Sequence, residues 1–416
     1  MNRRQLLAAT LAASAALYQR PSSAQPPTTP FDFQLSLDFS KIQVNPVGNR
    51  FSLELFRVLS DVNRNCIASP LSVLVPMALL AQAAGGNTRS QLRDALHLGD
   101  QDDSALRLAG ALRGVERSQT VQCKIANALY VQEGTDLQGD FLQLAKDSFG
   151  AEVQPAGFKT NHEAVRQEIN RWVDQRTGGK IQGLFGPGAL DSLTSLVLVN
   201  AIYFKGRWAN QFRMQDTRPL PFYMADGAST SVPMMHQTGK AGYAENELLQ
   251  RLELDYRGGE FSGVFLLPRL GRSLAELEAE LTAGTWGRWG GESRSGVEVA
   301  MGIPKFKLES TLDIKSSLQR LGIVDAFTEG RADFSGMFEP DAPVPVWLSE
   351  VTQKAFCEVN EEGTEAAAAT GAVARSYSAR PAPKRFLADR PFLFAIVHRQ
   401  SGMILFLSRV NDPRNA

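Results

Sequence analysis

Residues 361–381 read Glu361-Glu362-Gly363-Thr364-Glu365-Ala366-Ala367-Ala368-Ala369-Thr370-Gly371-Ala372-Val373-Ala374-Arg375-Ser376-Tyr377-Ser378-Ala379-Arg380-Pro381. Few large apolar side chains are available to anchor this stretch, so its composition is that of an exposed loop. A loop of around twenty residues is long for a compact domain, and loops of that length are functional or disordered. Every second position from Thr364 gives Thr364, Ala366, Ala368, Thr370, Ala372 and Ala374, all small and uncharged, while Glu365 and Arg375 fall on the opposite parity. In a strand these two sets face opposite sides of a sheet. The pattern suits entry into the middle of a sheet with the small face inward, and eleven residues would extend about 36 Å. An alanine run also favours a helix, and a low-complexity linker has the same composition. The segment alone leaves all three open.

The flanking sequence narrows the choice. Phe392 to Val397 and Ile404 to Leu407 are apolar runs separated by a turn at Ser401-Gly402, and Leu196 to Phe204 and Gly263 to Leu267 are further buried strands. Val297 to Phe306 alternates, which predicts one more strand. Earlier, Phe51 to Leu59 and Leu71 to Ala83 place apolar residues at helical spacing, with Ser69-Pro70 as a start signal and Ala84-Gly85-Gly86 as a stop. Ala164 to Arg176 reads as an amphipathic helix ended by Gly178-Gly179. Helices early and strands late, without regular alternation, predict an α+β chain rather than a doubly wound one. No repeat and no linker breaks residues 31–416, so one domain is expected.

Composition excludes several classes. The 416 residues hold 44 Lys+Arg against 44 Asp+Glu, and 43% are hydrophobic. This balance carries no nucleic-acid footprint, and the sequence shows no basic cluster beyond the N-terminus. Arg3-Arg4 precedes an Ala/Leu run from Leu6 to Leu17 and the small residues Ser22-Ser23-Ala24. Residues 1–24 are thus expected to be a signal peptide, by the twin-arginine or the general secretory route, and too short to remain as a membrane span. Residues 25–31, with Pro26, Pro27 and Pro30, form a flexible lead-in. The product is expected to be exported, to a periplasm or the extracellular space, and the segment points to a bacterial source. Cys66, Cys123 and Cys357 are too few and too scattered for a disulfide framework or a metal site. They read as small buried side chains. His97, His162, His236 and His398 sit in no nucleophile or zinc motif, and no phosphate-binding glycine loop is present. The chain is expected to be no enzyme, with no catalytic residue, metal or cofactor.

The ordered motifs resemble the serpin family. Residues 361–370 match its hinge, read here as Glu361, Glu362, Gly363, Thr364, Glu365, Ala366, Ala367, Ala368, Ala369 and Thr370. NCIASPLS (65–72), INRWVDQRTGGKI (169–181), VNAIYFKGRWANQF (199–212) with Trp208, VPMM (232–235), PKF (304–306), LGIVDAF (321–327), ADFSGM (332–337), ADRPFLFAI (388–396) and ILFLSRVNDP (404–413) follow in family order. The resemblance spans residues 32–413. It implies a single domain of three β-sheets and eight or nine helices with an exposed reactive-centre loop. It also implies a one-use inhibitor of a serine protease, acting as a monomer without nucleic acid or membrane. The cleaved loop enters the main sheet and carries the acylated protease with it.

By the family's loop length the scissile bond is Tyr377-Ser378, which favours chymotrypsin-like or subtilisin-like targets. Arg375-Ser376 is the rival and would attract trypsin-like enzymes. Where many relatives carry histidine in the sheet-opening region, this chain has Gln353, which can donate and accept in a buried network with Ser69 and Asn200 but cannot be protonated. Leu407-Ser408 replaces a more usual Met-Gly, read as a packing change. The alternative is a non-inhibitory carrier or chaperone of the same fold. Such relatives usually have bulky, charged or proline residues in the hinge, and the inward-parity positions of this hinge, from Thr364 to Ala374, have none.

Overall fold

The apolar run at Leu196 becomes the centre of a six-stranded sheet because it is buried on both faces and nearly every position is apolar. A computed structural model describes residues 45–59, 63–99, 103–134, 136–339, 345–364 and 382–414. The signal segment, the lead-in and loop residues 365–381 lie outside the described residues. The central sheet runs β10 (Phe306–Asp313), β11 (Leu348–Asn360), β12 (Gly363–Thr364), β4 (Leu196–Arg207), β2 (Gln122–Gln132), β3 (Glu152–Ala156).

The second sheet has nine strands. Its path is β1 (Cys66–Ala68), β15 (Met403–Val410), β14 (Phe392–His398), β8 (Phe261–Pro268), β7 (Leu249–Asp255), β6 (Ser229–Glu245), β9 (Arg294–Pro304), β13 (Lys384–Leu387), with β5 (Arg218–Tyr223) on β6. The expected second and third strand sets are both present, joined through the 17-residue β6. One part of β6 pairs β5 and β9, and its C-terminal end pairs β7.

Nine α-helices occur among the described residues: α1 (Asn45–Val58), α2 (Pro70–Ala83), α3 (Gly86–Ala95), α4 (Asp103–Glu116), α5 (Gly139–Gln143), α6 (Phe158–Arg176), α7 (Leu274–Ala279), α8 (Ala283–Gly291) and α9 (Lys315–Arg320). Helix α2 is buried almost all round and lies in the main core, between the two sheets, with Leu198, Ile202 and Phe204 of β4. Helix α6 covers the other face of the central sheet. Its Phe158, Val165, Ile169 and Val173 pack with Val197, Val199, Ala201 and Tyr203.

Two expectations change. The alternating run Val297 to Phe306 is not one strand. It divides at Lys305 into β9 and β10, which belong to different sheets. Helix α6 begins at Phe158 rather than near Ala164, with non-helical backbone at Asn161. After Phe158 come five polar residues, Lys159 to Glu163, which interrupt the apolar period and hide the helix start. Cys66, Cys123 and Cys357 are buried as expected and form no disulfide, and burial pushes the Cys66 thiol up to about 11.

The main core also holds a charge pair. Arg409 on β15 is fully buried and makes two bonds to Glu278 of α7, Nε to Oε1 at 2.6 Å and Nη2 to Oε2 at 2.7 Å. Its guanidinium lies 5.1 Å from the centre of the Phe56 ring. Removing one partner of such a pair leaves an uncompensated buried charge. Glu278→Ala is expected to cost about 3–5 kcal/mol, read as a lowered urea-unfolding midpoint. A cost below about 1 kcal/mol would mean that the guanidinium finds water.

Candidate functional site: a sheet seam and its hinge

The chemistry-bearing feature of the central sheet is a seam between β4 and β11. These strands pair in parallel from Leu348↔Leu196 to Phe356↔Tyr203. Above that point Gly363 and Thr364 stand between them. The pairs are Gly363↔Asn360 and Thr364↔Val359 on one side, and Gly363↔Arg207 and Thr364↔Gly206 on the other, all antiparallel. The hinge motif thus already occupies the head of a slot whose lower part is closed by direct pairing.

Packing forces this start. A side chain at Gly363 would run into the carbonyl of Gly206. Glycine here serves close approach of the two backbones. Thr364 is fully buried, and its hydroxyl meets the Tyr256 hydroxyl at 2.6 Å. Trp208 stacks on Tyr256 with ring centres 4.5 Å apart. It also donates Nε1–H to the Asn360 carbonyl at 3.1 Å and its backbone amide to Glu362 at 2.8 Å. Glu361 accepts from Thr217 Oγ1 at 2.9 Å and faces Lys305 Nζ at 3.0 Å. Burial raises the Glu361 carboxyl, but hydrogen bonds from its own backbone, Lys305 and Thr217 outweigh that and hold it below the usual range. Lys305, the residue at which the chain changes sheets, thereby fastens the hinge.

Below the hinge a buried polar network crosses the seam. Gln353 Oε1 accepts from the Ser69 amide at 2.8 Å. Its Nε2 lies 2.8 Å from the Ser69 carbonyl, 3.0 Å from Ser72 Oγ and 2.5 Å from Asn200 Oδ1. Ser72 Oγ lies 2.8 Å from Asn200 Oδ1, and Asn200 Nδ2 donates to Asn127 Oδ1 at 2.6 Å. Gln353 and Asn200 are directly opposite across the seam, and both are fully buried.

The expected trio of Ser69, Asn200 and Gln353 does converge, with one correction. Ser69 joins through its backbone and makes no side-chain cap, and its hydroxyl is buried without a partner. The hydroxyl in the network belongs to Ser72, which the sequence reading missed together with Asn127. The signal for Ser72 was its i,i+3 spacing from Ser69 at the start of a buried helix, whereas Asn127 lies on β2 opposite Asn200 and only the strand register brings it in. Ser408 is likewise fully buried with its hydroxyl unpartnered.

The opposite face is strapped down. Lys354 Nζ donates to the Gln182 carbonyl at 2.7 Å and pairs with Glu309 at 2.8 Å. The loop after α6 is further held by Asn170 and Arg166, which both donate to the Phe185 carbonyl, at 2.9 and 2.7 Å. The hinge positions Glu365 to Thr370 and both candidate bonds, Tyr377-Ser378 and Arg375-Ser376, lie outside the described residues.

Comparison with known proteins places these features in a family. A family model described as Serpin (serine protease inhibitor) matches residues 47–413. Human Serpin B8 is 40% identical over 369 residues, covering 87% of this chain and 97% of its own length. Human leukocyte elastase inhibitor is 37% identical over 381 residues, covering 89% of this chain and all of its own. The native-state crystal structure of the thermophilic serpin tengpin aligns with a TM-score of 0.79 at 27% identity, over 89% of this chain and 94% of that one.

Two outcomes are expected at the seam. Gln353→Ala orphans the Ser69 amide and exposes Asn200 Oδ1 to an apolar gap, costing about 1–3 kcal/mol in unfolding stability. An unchanged midpoint would mean that the network does not hold the seam. A depressed carboxyl adds stability above its unfolded value, about 4.3, and loses it as pH falls through the lower folded value. The Glu361 tether is therefore intact at pH 7 and lost in acid. Hydrogen exchange at the hinge, corrected for intrinsic rate, should rise below about pH 4 in the parent and be flat in Glu361→Gln. Equal acid sensitivity in both would discount the tether.

Proposed function

The chain belongs to the serpin family, and on that premise we propose that it is a one-use trap for a serine protease, working by insertion of its cleaved loop into the β4–β11 seam. The observation that carries this reading is the hinge register. Gly363 and Thr364 lie antiparallel to both seam strands, so an added strand continuing them would be in register from its first residue.

Extending that register gives each inward position a neighbourhood. Ala366 arrives between Phe204 and Cys357, Ala368 between Ile202 and Ala355, Thr370 between Asn200 and Gln353, and Ala372 between Leu198 and Val351. All of these face the main core, where only small side chains fit without displacing packed groups. Thr370 supplies a hydroxyl where the Gln353–Asn200 bond must break. Glu365, Ala367 and Ala369 fall on the α6 side, so the helix and its loop must shift to admit them.

The chemistry belongs to the protease. Its serine oxygen attacks the scissile carbonyl carbon, the peptide C–N bond breaks, and the serine proton leaves with the new amine. The ester then tethers the enzyme to the loop's new carboxyl end. Splitting the seam removes one parallel ladder and makes two antiparallel ones, which pair slightly better per residue. Each added hydrogen bond contributes roughly 1 kcal/mol. Translocation outruns deacylation only if insertion is unobstructed. In this reading Tyr377-Ser378 is the bait for a chymotrypsin-like or subtilisin-like enzyme, with Arg375-Ser376 as the trypsin-like rival. The N-terminal pattern supports export.

The mature protein mixed separately with chymotrypsin, subtilisin and trypsin should give an SDS-stable adduct, with a released C-terminal peptide starting at Ser378. A start at Ser376 would transfer the bait to Arg375. Thr364→Arg places a charge against buried Tyr256 at a cost of several kcal/mol, and should convert the inhibitor to a substrate. Full adduct yield from Thr364→Arg, or cleavage without any adduct in the parent, would sink the insertion reading.

A further inference from the structure

The fold gathers cations that the sequence scatters. On the α6 side of the central sheet, Lys124 of β2 stands opposite Tyr203 of β4, and Lys205 stands opposite Gln122. Across the seam, Lys307 of β10 stands opposite Glu358 of β11. Lys180, from the loop after α6, has its ammonium 5.9 Å from the centre of the Tyr203 ring. The Lys307 ammonium is 5.3 Å from the centre of the Phe356 ring. These two rings lie 6.2 Å apart and form the last direct rung of the seam. Cations therefore flank the mouth of the seam from both sides. Arg207 and Arg257 extend the patch past the hinge, the Arg257 amide donating to the Arg207 carbonyl at 2.7 Å.

Lys124, Lys180, Arg207, Arg257 and Lys307 are exposed and Lys205 half-buried. Among the described residues no ion pair engages Lys124, Lys205 or Lys307. Acids nearby include Glu358, on the same face, Glu116, which feels the charge of Lys124, Glu309, already paired with Lys354, and Glu362, next to the Gly363 that pairs with Arg207. Like charges collected on one sheet face repel, and no core contact requires lysine at an exposed position.

We propose that this patch binds a compact, multiply charged oxyanion of phosphate- or sulfate-ester chemistry across the mouth of the seam, and that the bound anion holds the seam closed. The two edges of the mouth carry Lys205 and Lys307, a few strand spacings of about 4.8 Å apart, within reach of a short chain of oxyanions. Insertion adds a strand between those edges, so one anion no longer spans both equally well. The register also brings Glu365 beside Lys205, where it competes for the ammonium. A ligand that prefers the closed form must oppose opening by the same free energy. The coupling rests on the insertion reading; the binding does not.

The test is calorimetric titration of the uncleaved mature protein at low salt with sodium tripolyphosphate and, separately, sucrose octasulfate. Saturable binding that weakens with added salt is expected, and the tighter of the two probes identifies the ester class. Lys124→Glu/Lys307→Glu, altering exposed side chains only, should bind at least about tenfold more weakly with its unfolding midpoint preserved. Equal binding by the variant, or no saturable binding of either probe, overturns the site. Saturating probe should slow adduct formation with the trapped protease in the parent and not in the variant. An unchanged rate in the parent overturns the coupling. Absence of any adduct would fail the inhibitor reading while the titration still decides the site.

Discussion

Direct pairing of Leu196–Tyr203 with Leu348–Phe356 is the constraint on which the rest of the central sheet depends. The two strands are far apart in sequence and run parallel, so their mutual hold comes from the ladder and from groups that grip it on both faces. On the core face the grip is polar. Gln353, Asn200, Ser72, Asn127 and the Ser69 backbone satisfy one another within an otherwise apolar layer. Half-satisfied networks of this kind are worse than none. The seam is consequently stable when every bond is made and unfavourable when partly parted. That gives the closed sheet a definite state rather than a graded one.

The same logic explains why the head of the slot differs from its body. At Gly363 and Thr364 the ladder is already divided, and the division is held by Trp208 on Tyr256, Tyr256 on Thr364, and Lys305 on Glu361. Absence of a side chain at Gly363 lets the two backbones meet there. A strand entering this slot need not nucleate a new pairing, since the first rungs exist. It must instead exchange the bonds below, one layer at a time.

Much of this was legible in the sequence, and the limits have physical causes. The loop's alternation could be read because a strand's period is two, and the composition at 364–374 shows which face must be small. The strands at Leu196, Gly263, Phe392 and Ile404 followed from apolar runs. Register is different in kind: no periodicity says that Asn200 faces Gln353, so the network's partners needed the fold. Ser69 was read for its hydroxyl, but Pro70 begins the helix and Ser69 engages Gln353 by backbone alone. Lys305 sat inside an alternating run that hid a change of sheet. The cations at 124, 180, 205 and 307 are isolated in sequence and converge only through three strands and a crossing loop, whereas a balanced total charge pointed away from any such patch.

One residue ties the loop's composition to the seam's chemistry. Among the inward positions from 366 to 372, Thr370 alone carries a hydroxyl. Alanine there would satisfy the demand for small size equally well and would favour any competing helix. In the proposed insertion, extending the hinge register would carry position 370 between Asn200 and Gln353. Parting those residues orphans an amide donor and a carbonyl acceptor in a core from which water is excluded, and a hydroxyl can both accept and donate. A neutral amide at 353 suits that exchange, because the energy of the closed and opened networks is then independent of pH near neutrality. The placement of a single threonine in an alanine run is thus what a strand would need if it had to cross this particular polar layer.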